Sequence, residues 1–105
     1  MHVFKLLRPE EWAAFATQPA ANASFAGSPD DVRDGYIHLS TAEQAAGTRA
    51  KYFAGEPVVR VTLEADALGP ALRWEASRGG ALFPHLYRAL RRDEVVAVDD
   101  GGDLH

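Results

Sequence analysis

Asp34-Gly35-Tyr36-Ile37-His38-Leu39-Ser40-Thr41 carries a turn, a short strand and a helix start in consecutive residues. Asp34-Gly35 is a turn signal. From Tyr36 to Leu39 the side chains alternate, so Ile37 and Leu39 share one strand face and Tyr36 and His38 the other. Ser40-Thr41-Ala42-Glu43 reads as a capping box with Ser40 as N-cap, opening a helix over 41–53. A strand that delivers a histidine to the open amides of a helix start makes a corner that favours anions. Chemistry is therefore expected first at His38, Ser40 and Thr41.

On the N-terminal side of this stretch, 2–7 reads as a strand with Val3, Lys5 and Leu7 on one face and Phe4 and Leu6 on the other. Arg8-Pro9-Glu10-Glu11 starts a short helix, because proline suits the first turn and acids suit its dipole. Its stripe of Trp12, Phe15 and Ala16 is core at helical spacing. Residues 17–26 read as a loop, and Ser28-Pro29 caps a further turn or two of helix.

On the C-terminal side, the helix at 41–53 offers Ala42, Ala45, Ala46, Ala50 and Phe53 as a small-residue face, and Gly55 and Pro57 end it. The clearest strand is 58–65, with Val59, Val61 and Leu63 on one face. After a turn at 66–70, a strand at 71–76 sets Leu72 and Trp74 opposite Arg73 and Glu75, with Trp74 expected in the core. Ser77-Arg78-Gly79-Gly80 is a loop, Phe83-Pro84-His85-Leu86-Tyr87 a compact aromatic segment, and 95–98 a last strand. Strands linked by short turns predict an antiparallel α+β domain with two main helices rather than a parallel βαβ fold. That domain is expected to span 1–98, with 99–105 a loose, Gly- and Asp-rich tail.

The chain has 105 residues, which suits one domain. A net charge of -4 supplies no basic field for duplex nucleic acid. A small phosphorylated ligand in a local pocket is compatible with it. The absence of cysteine excludes disulfides, thiolate catalysis and thiolate metal sites. No run approaches a membrane span and no signal-peptide pattern opens the chain, so a cytoplasmic location is expected.

His38 faces either solvent or a cleft. Glu75 is either an ion-pair partner for Arg73 or Arg78, or a base or acceptor for a ribose hydroxyl. His85 follows a proline and is presented rigidly, for catalysis or for structural hydrogen bonding. The spacing of these residues matches no local metal-ligand motif, so no metal is expected. No phosphate-binding glycine motif occurs, and Gly79-Gly80 alone is a weak signal.

Gly27-Ser28-Pro29-Asp30-Asp31, the stretch Asp34 to Thr41, Tyr52-Phe53-Ala54-Gly55, Trp74-Glu75 and Phe83-Pro84-His85-Leu86-Tyr87 together resemble the bacterial domain-of-unknown-function family numbered 952. The resemblance covers nearly the whole chain. Arg88 departs from it, since the family more often has glycine there. The family is grouped with the ADP-ribosyltransferase-like fold, which includes RNA 2'-phosphotransferases that consume NAD. The resemblance implies a split, mostly antiparallel sheet with NAD as substrate lying across it. His2 or Lys5 would stand at the first motif position, the strand and helix from Gly35 at the second, and Glu75 or His85 at the third. Catalysis is then assigned to His38, Glu75 and His85, and ligand binding to His2, Lys5, Tyr36, Ser40, Thr41, Arg78 and Tyr87. Alternatives are a non-catalytic binding or sensor module, and histidine acid–base chemistry on a phosphodiester.

Overall fold

Every strand ladder in the computed structural model is antiparallel, as the short-turn pattern predicts for an α+β domain. The structure describes residues 1–100, the side chains of Ala20 and Arg78 excepted. The elements are β1 (His2–Leu7), α1 (Pro9–Ala16), β2 (Ser24–Phe25), α2 (Pro29–Asp34), β3 (Ile37–His38) and α3 (Ala42–Tyr52). They continue with β4 (Val59–Glu64), α4 (Ala65–Leu68), β5 (Leu72–Ala76), β6 (Leu82–Leu86), β7 (Leu90–Arg91) and β8 (Val95–Asp99).

Two three-stranded sheets, ordered β1-β4-β8 and β3-β6-β5, carry the fold, and β2 pairs with β7 beside them. They join at one point. Phe4 and Ser40 exchange both backbone hydrogen bonds at 2.8 Å, while the neighbouring Leu39 N–H still donates to the Pro84 carbonyl at 3.0 Å. The segment from Ile37 to Ser40 thus leaves β6 and reaches β1 within one residue. Pro84 gives the reason. Continuing the register Ile37↔Leu86, His38↔His85 sets Leu39 opposite Pro84, and proline has no N–H to return to the Leu39 carbonyl. The ladder stops there, and the chain is released toward β1.

The core is one cluster in which Val3, Leu7, Phe15, Ile37, Leu39, Val61, Leu63, Leu86 and Leu90 are buried. Each such side chain is worth about 1.5–3 kcal/mol relative to exposure. Ile37 and Leu39 face this core, while Tyr36 and His38 face away, as the alternation predicts.

Several local expectations need correction. The N-cap of α3 is Thr41, not Ser40: Thr41 Oγ1 accepts the Gln44 N–H at 3.2 Å and Gln44 Oε1 accepts the Thr41 N–H at 3.1 Å. Ser40 is held extended by its bridge to Phe4, which shifts the capping box by one residue. Of the alanine face of α3, Ala45 is buried, whereas Ala42, Ala46 and Ala50 are exposed. Residues 17–26 contain β2, which covers Phe25 against Leu90. Ala65 starts α4 rather than ending β4. Trp74 is 39% exposed rather than core. Asp99, expected to begin a loose tail, ends β8 and pairs with Arg60 through backbone register and an ion pair of 2.7 Å. Residues 101–105 of that expected tail lie outside the described residues. Among the described residues no helix is long and apolar enough to cross a membrane.

Candidate functional site

The site begins with a lysine that the strand pattern buries. Lys5 lies on β1 between Val3 and Leu7 and is 6% exposed, so its charge needs a partner. Asp31 of α2 supplies it. The Asp31 carboxylate is 2% exposed; Oδ2 accepts from Lys5 Nζ at 2.8 Å and from the Ser28 N–H at 2.9 Å. Oδ1 accepts the His38 N–H at 3.1 Å and meets His38 Nδ1 at 2.6 Å. Burial alone would raise this carboxyl, but the His38 bond and the Lys5 charge outweigh it and hold the pKa at about 2. Gly27 has φ +125°, and a Cβ there would lie 2.5 Å from Asp31 Cβ, so glycine is what lets the chain pass this carboxylate.

His38 spans two acids. Its Nε2 lies 3.1 Å from Asp34 Oδ2 while Nδ1 faces Asp31, so both contacts are satisfied only when both nitrogens carry a proton. Asp34 sits below the usual carboxylate range through Arg33 first, and His38 adds to this against the effect of burial. His85 lies across the β3–β6 ladder from His38, their ring centroids 5.6 Å apart. Tyr36 stacks on His85 at 4.2 Å and lies 5.1 Å from the ring of Tyr87.

Glu75 does not pair with Arg73, as one reading of the sequence expected. Its Oε1 accepts the Tyr87 hydroxyl at 2.6 Å and meets His85 Nδ1 at 2.8 Å. The Tyr87 bond first, and the His85 contact after it, hold Glu75 below its ordinary range, and the bond to Glu75 raises Tyr87 above its own. Arg73 lies instead over the Tyr87 ring, 4.9 Å from its centroid.

A cavity of about 420 Å³ opens beside these residues. Lys5, His38, Ser40 and His85 line it, together with Arg8, Ser28, residues 29–31, Arg33, Asp34, Thr48, Phe53 and Phe83. Glu75 stands behind His85 rather than on the wall. Tyr36 and Tyr87 also lie off the wall, and Thr41 is occupied by capping. His2 is apart from the cavity, exposed at the start of β1 opposite Glu64. The Arg78 side chain lies outside the described residues. Among the described residues no group of three or more His, Asp or Glu side chains is placed to hold a metal ion.

Sequence reasoning missed Asp31, which looked like an ordinary first-turn acid. The signal was Lys5, a charge set between apolar residues on one strand face.

The family model described as "Protein of unknown function (DUF952)" matches residues 6–98. The chain belongs to this family. Protein CC0527 from Caulobacter crescentus is similar to this DUF952 chain: its crystal structure is 48% identical, with a TM-score of 0.87, over 95% of this chain and 85% of that one. The solution NMR structure of CC0527 is likewise 48% identical, with a TM-score of 0.80, over 94% and 83% of the two chains. No curated protein matches the DUF952 chain.

Proposed function

We propose that this cavity binds a small phosphorylated nucleotide of the NAD or ADP-ribose class, and that His85 moves a proton in a ribosyl or phosphoryl transfer on it. One observation carries the reading: His38, Ser40 and His85 line a single cavity, with Glu75 fixing His85 from behind. About 420 Å³ falls in the range of small-molecule sites. Phe53 and Phe83 offer apolar surface for a ring, and Arg8 offers a guanidinium group for phosphate. The split antiparallel sheet supports kinship with the ADP-ribosyltransferase-like fold, which is the source of the ribosyl chemistry in this proposal.

The geometry alters the roles first assigned. Glu75 does not line the cavity, and its Oε1 is taken up by His85 and Tyr87, so it is a positioning residue rather than a stabiliser of an oxocarbenium-like state. His38 has both ring nitrogens on carboxylates, Asp31 at 2.6 Å and Asp34 at 3.1 Å, so neither nitrogen is turned to a ligand as a base. The separation of 5.6 Å between the two imidazoles favours, as a second reading, histidine acid–base chemistry on a phosphodiester, with His85 as the mobile proton site.

Isothermal titration with NAD, ADP-ribose and a 2'-phosphorylated oligonucleotide tests the binding. Absence of heat with all of them at millimolar ligand refutes the nucleotide reading. A His85→Gln protein that binds as well as the parent but no longer turns the ligand over supports proton transfer. Binding with no turnover in the parent itself leaves a non-catalytic sensor module.

A further inference from the structure

Strand β5 lies at the edge of its sheet, in the order β3-β6-β5, and among the described residues no strand pairs with its outer side. The direction of its backbone groups follows from the bonds at its two ends. The Tyr87 N–H donates to the Ala71 carbonyl at 2.8 Å and the Ser77 N–H to the Ala81 carbonyl at 2.9 Å. Odd-numbered residues here therefore turn their backbone groups to β6, and even-numbered ones turn them outward. Trp74, opposite Pro84, presents both its N–H and its carbonyl at the open edge, and so does Ala76. Leu72 presents its carbonyl, since its N–H is bonded to Gly69.

Edges of this kind are commonly blunted by bulges, prolines or charge. Strand β8, at the edge of the other sheet, has a register irregularity between Thr62 and Leu63 of its partner. The register of β5 against β6 runs unbroken from Leu72 to Ala76. Trp74 and Leu82, on one face of this hairpin, are both exposed.

The side-chain order says what fits this edge. Leu72-Arg73-Trp74-Glu75-Ala76 reads apolar, basic, aromatic, acidic, apolar. Set antiparallel to a copy of itself about Trp74, it brings Arg73 opposite the partner's Glu75 and Glu75 opposite the partner's Arg73. A two-fold interface needs this self-complementarity. The backbone agrees with it. Trp74 against Trp74 is then a hydrogen-bonded pair that uses the outward groups. Arg73 against Glu75 takes the closer, non-hydrogen-bonded spacing of about 4.5 Å between Cα atoms. The neighbouring registers of the same parity set Arg73 on Arg73 or Glu75 on Glu75, and like charges oppose them. Both side chains have room for the contact. Arg73 lies over the Tyr87 ring with no carboxylate in ion-pair range among the described residues. Glu75 holds His85 and Tyr87 through Oε1 alone, and no described side chain meets Oε2.

We propose that two copies of this chain pair through β5 in a two-fold dimer whose joined sheet runs β3-β6-β5-β5-β6-β3. The partner's Arg73 then meets the carboxylate that holds His85, so each copy lends a positioning residue to the other's cavity. The inference does not depend on which ligand the cavity takes. Five strand residues a side fall short of the about 20–30 of a standard interface, so the dimer dissociates on dilution.

Sedimentation equilibrium should show the mass rising from 11.4 kDa toward twice that as the protein is concentrated through about 0.01–1 mM, less steeply in about 1 M salt. A mass that stays at 11.4 kDa throughout overturns the proposal. Hydrogen exchange locates the contact. The Trp74 and Ala76 amides should slow with concentration, while those of Arg73 and Glu75, already on β6, should not change. A dimer without this pattern overturns the proposal as well. Arg73→Glu and Glu75→Arg should each weaken self-association by roughly tenfold, through like charges across the axis. An equimolar mixture of the two, both folded by circular dichroism, should regain the parent's association, because every acid again faces a base. A mixture no tighter than its components refutes the register. Should Glu75→Arg not fold, Trp74→Pro takes its place: it withholds one outward N–H, spares the ladder to β6 and should also lose the dimer. Association unchanged by Arg73→Glu or by Trp74→Pro overturns the proposal.

Discussion

Replacing Asp31 by asparagine keeps the shape of the side chain and removes the charge that Lys5 faces. The carboxyl sits at about 2 in the fold against an ordinary 3.8. At about 1.4 kcal/mol per pH unit, that gap contributes roughly 2 kcal/mol to folding. Because the folded value is the lower one, the contribution is fully present above pH 3.8 and is lost as the pH falls through about 2. Asp31→Asn also leaves Lys5 buried beside a neutral amide, and breaking a buried pair from one side costs about 3–5 kcal/mol. Against a typical domain stability of about 5–15 kcal/mol, the variant should be marginal but measurable. Urea unfolding of both proteins across acid pH is the assay. Other depressed acids, Asp34, Glu64 and Glu94 among them, titrate in both proteins, so the difference between the proteins isolates Asp31. That difference should shrink by about 2 kcal/mol between pH 4 and pH 2. The pair Lys5→Met with Asp31→Leu should also cost less than the two single changes summed. A pH-independent difference, or strict additivity, would refute the account of Asp31 as the charge that secures β1 to α2.

Thr41→Ala should cost about 1 kcal/mol through the lost cap of α3, read as a fall in Tm, whereas Ser40→Ala should leave the cap intact. Gly27→Ala should destabilise by about 1–3 kcal/mol, because the new methyl meets Asp31 Cβ at a φ disfavoured for alanine; a Tm within a degree of the parent would contradict the described path of the chain. Arg88→Gly, which installs the residue more usual in the family, removes a two-pronged bond to the buried Glu94 carboxylate and a bond to the Leu68 carbonyl. It should lower stability by about 2 kcal/mol in urea unfolding, and a neutral or stabilising outcome would show that the pair adds nothing.

What the sequence made legible follows from the length of each pattern. The strands β1 and β4 and the helix α3 are long enough for their periods to show, and their boundaries fall within a residue or two of those read from the pattern. The strands β2 and β7 are two residues each, too short for any alternation to register. Segment 82–86 hid as a strand because Pro84 and His85 break its apolar run, although it is the central strand of its sheet. At the site, His38 and His85 could be named because they stand in unusual local company. Their shared cavity could not, since it depends on a register between segments about fifty residues apart. The misplaced cap at Ser40 has the same origin. Both Ser40 and Thr41 suit an N-cap, and only the tertiary bridge to Phe4 decides between them.

That bridge also explains why the cavity lies where it does. A continuous sheet would carry β3 on past Leu39, and its side chains would close over β6. Pro84 withholds the N–H that this extension needs, so the chain turns its bonds toward Phe4 and the two sheets part. The neighbours of the break line the cavity. Ser40 is the residue that crosses it, His85 follows Pro84, His38 precedes Leu39, and Lys5 follows Phe4. Each of these four polar residues is thus adjacent in sequence to, or part of, the backbone pairs at which the ladder changes partner. The polar cluster and the split in the sheet are one feature, and a chain that kept these side chains but repaired the ladder at Pro84 would be expected to lose the cavity.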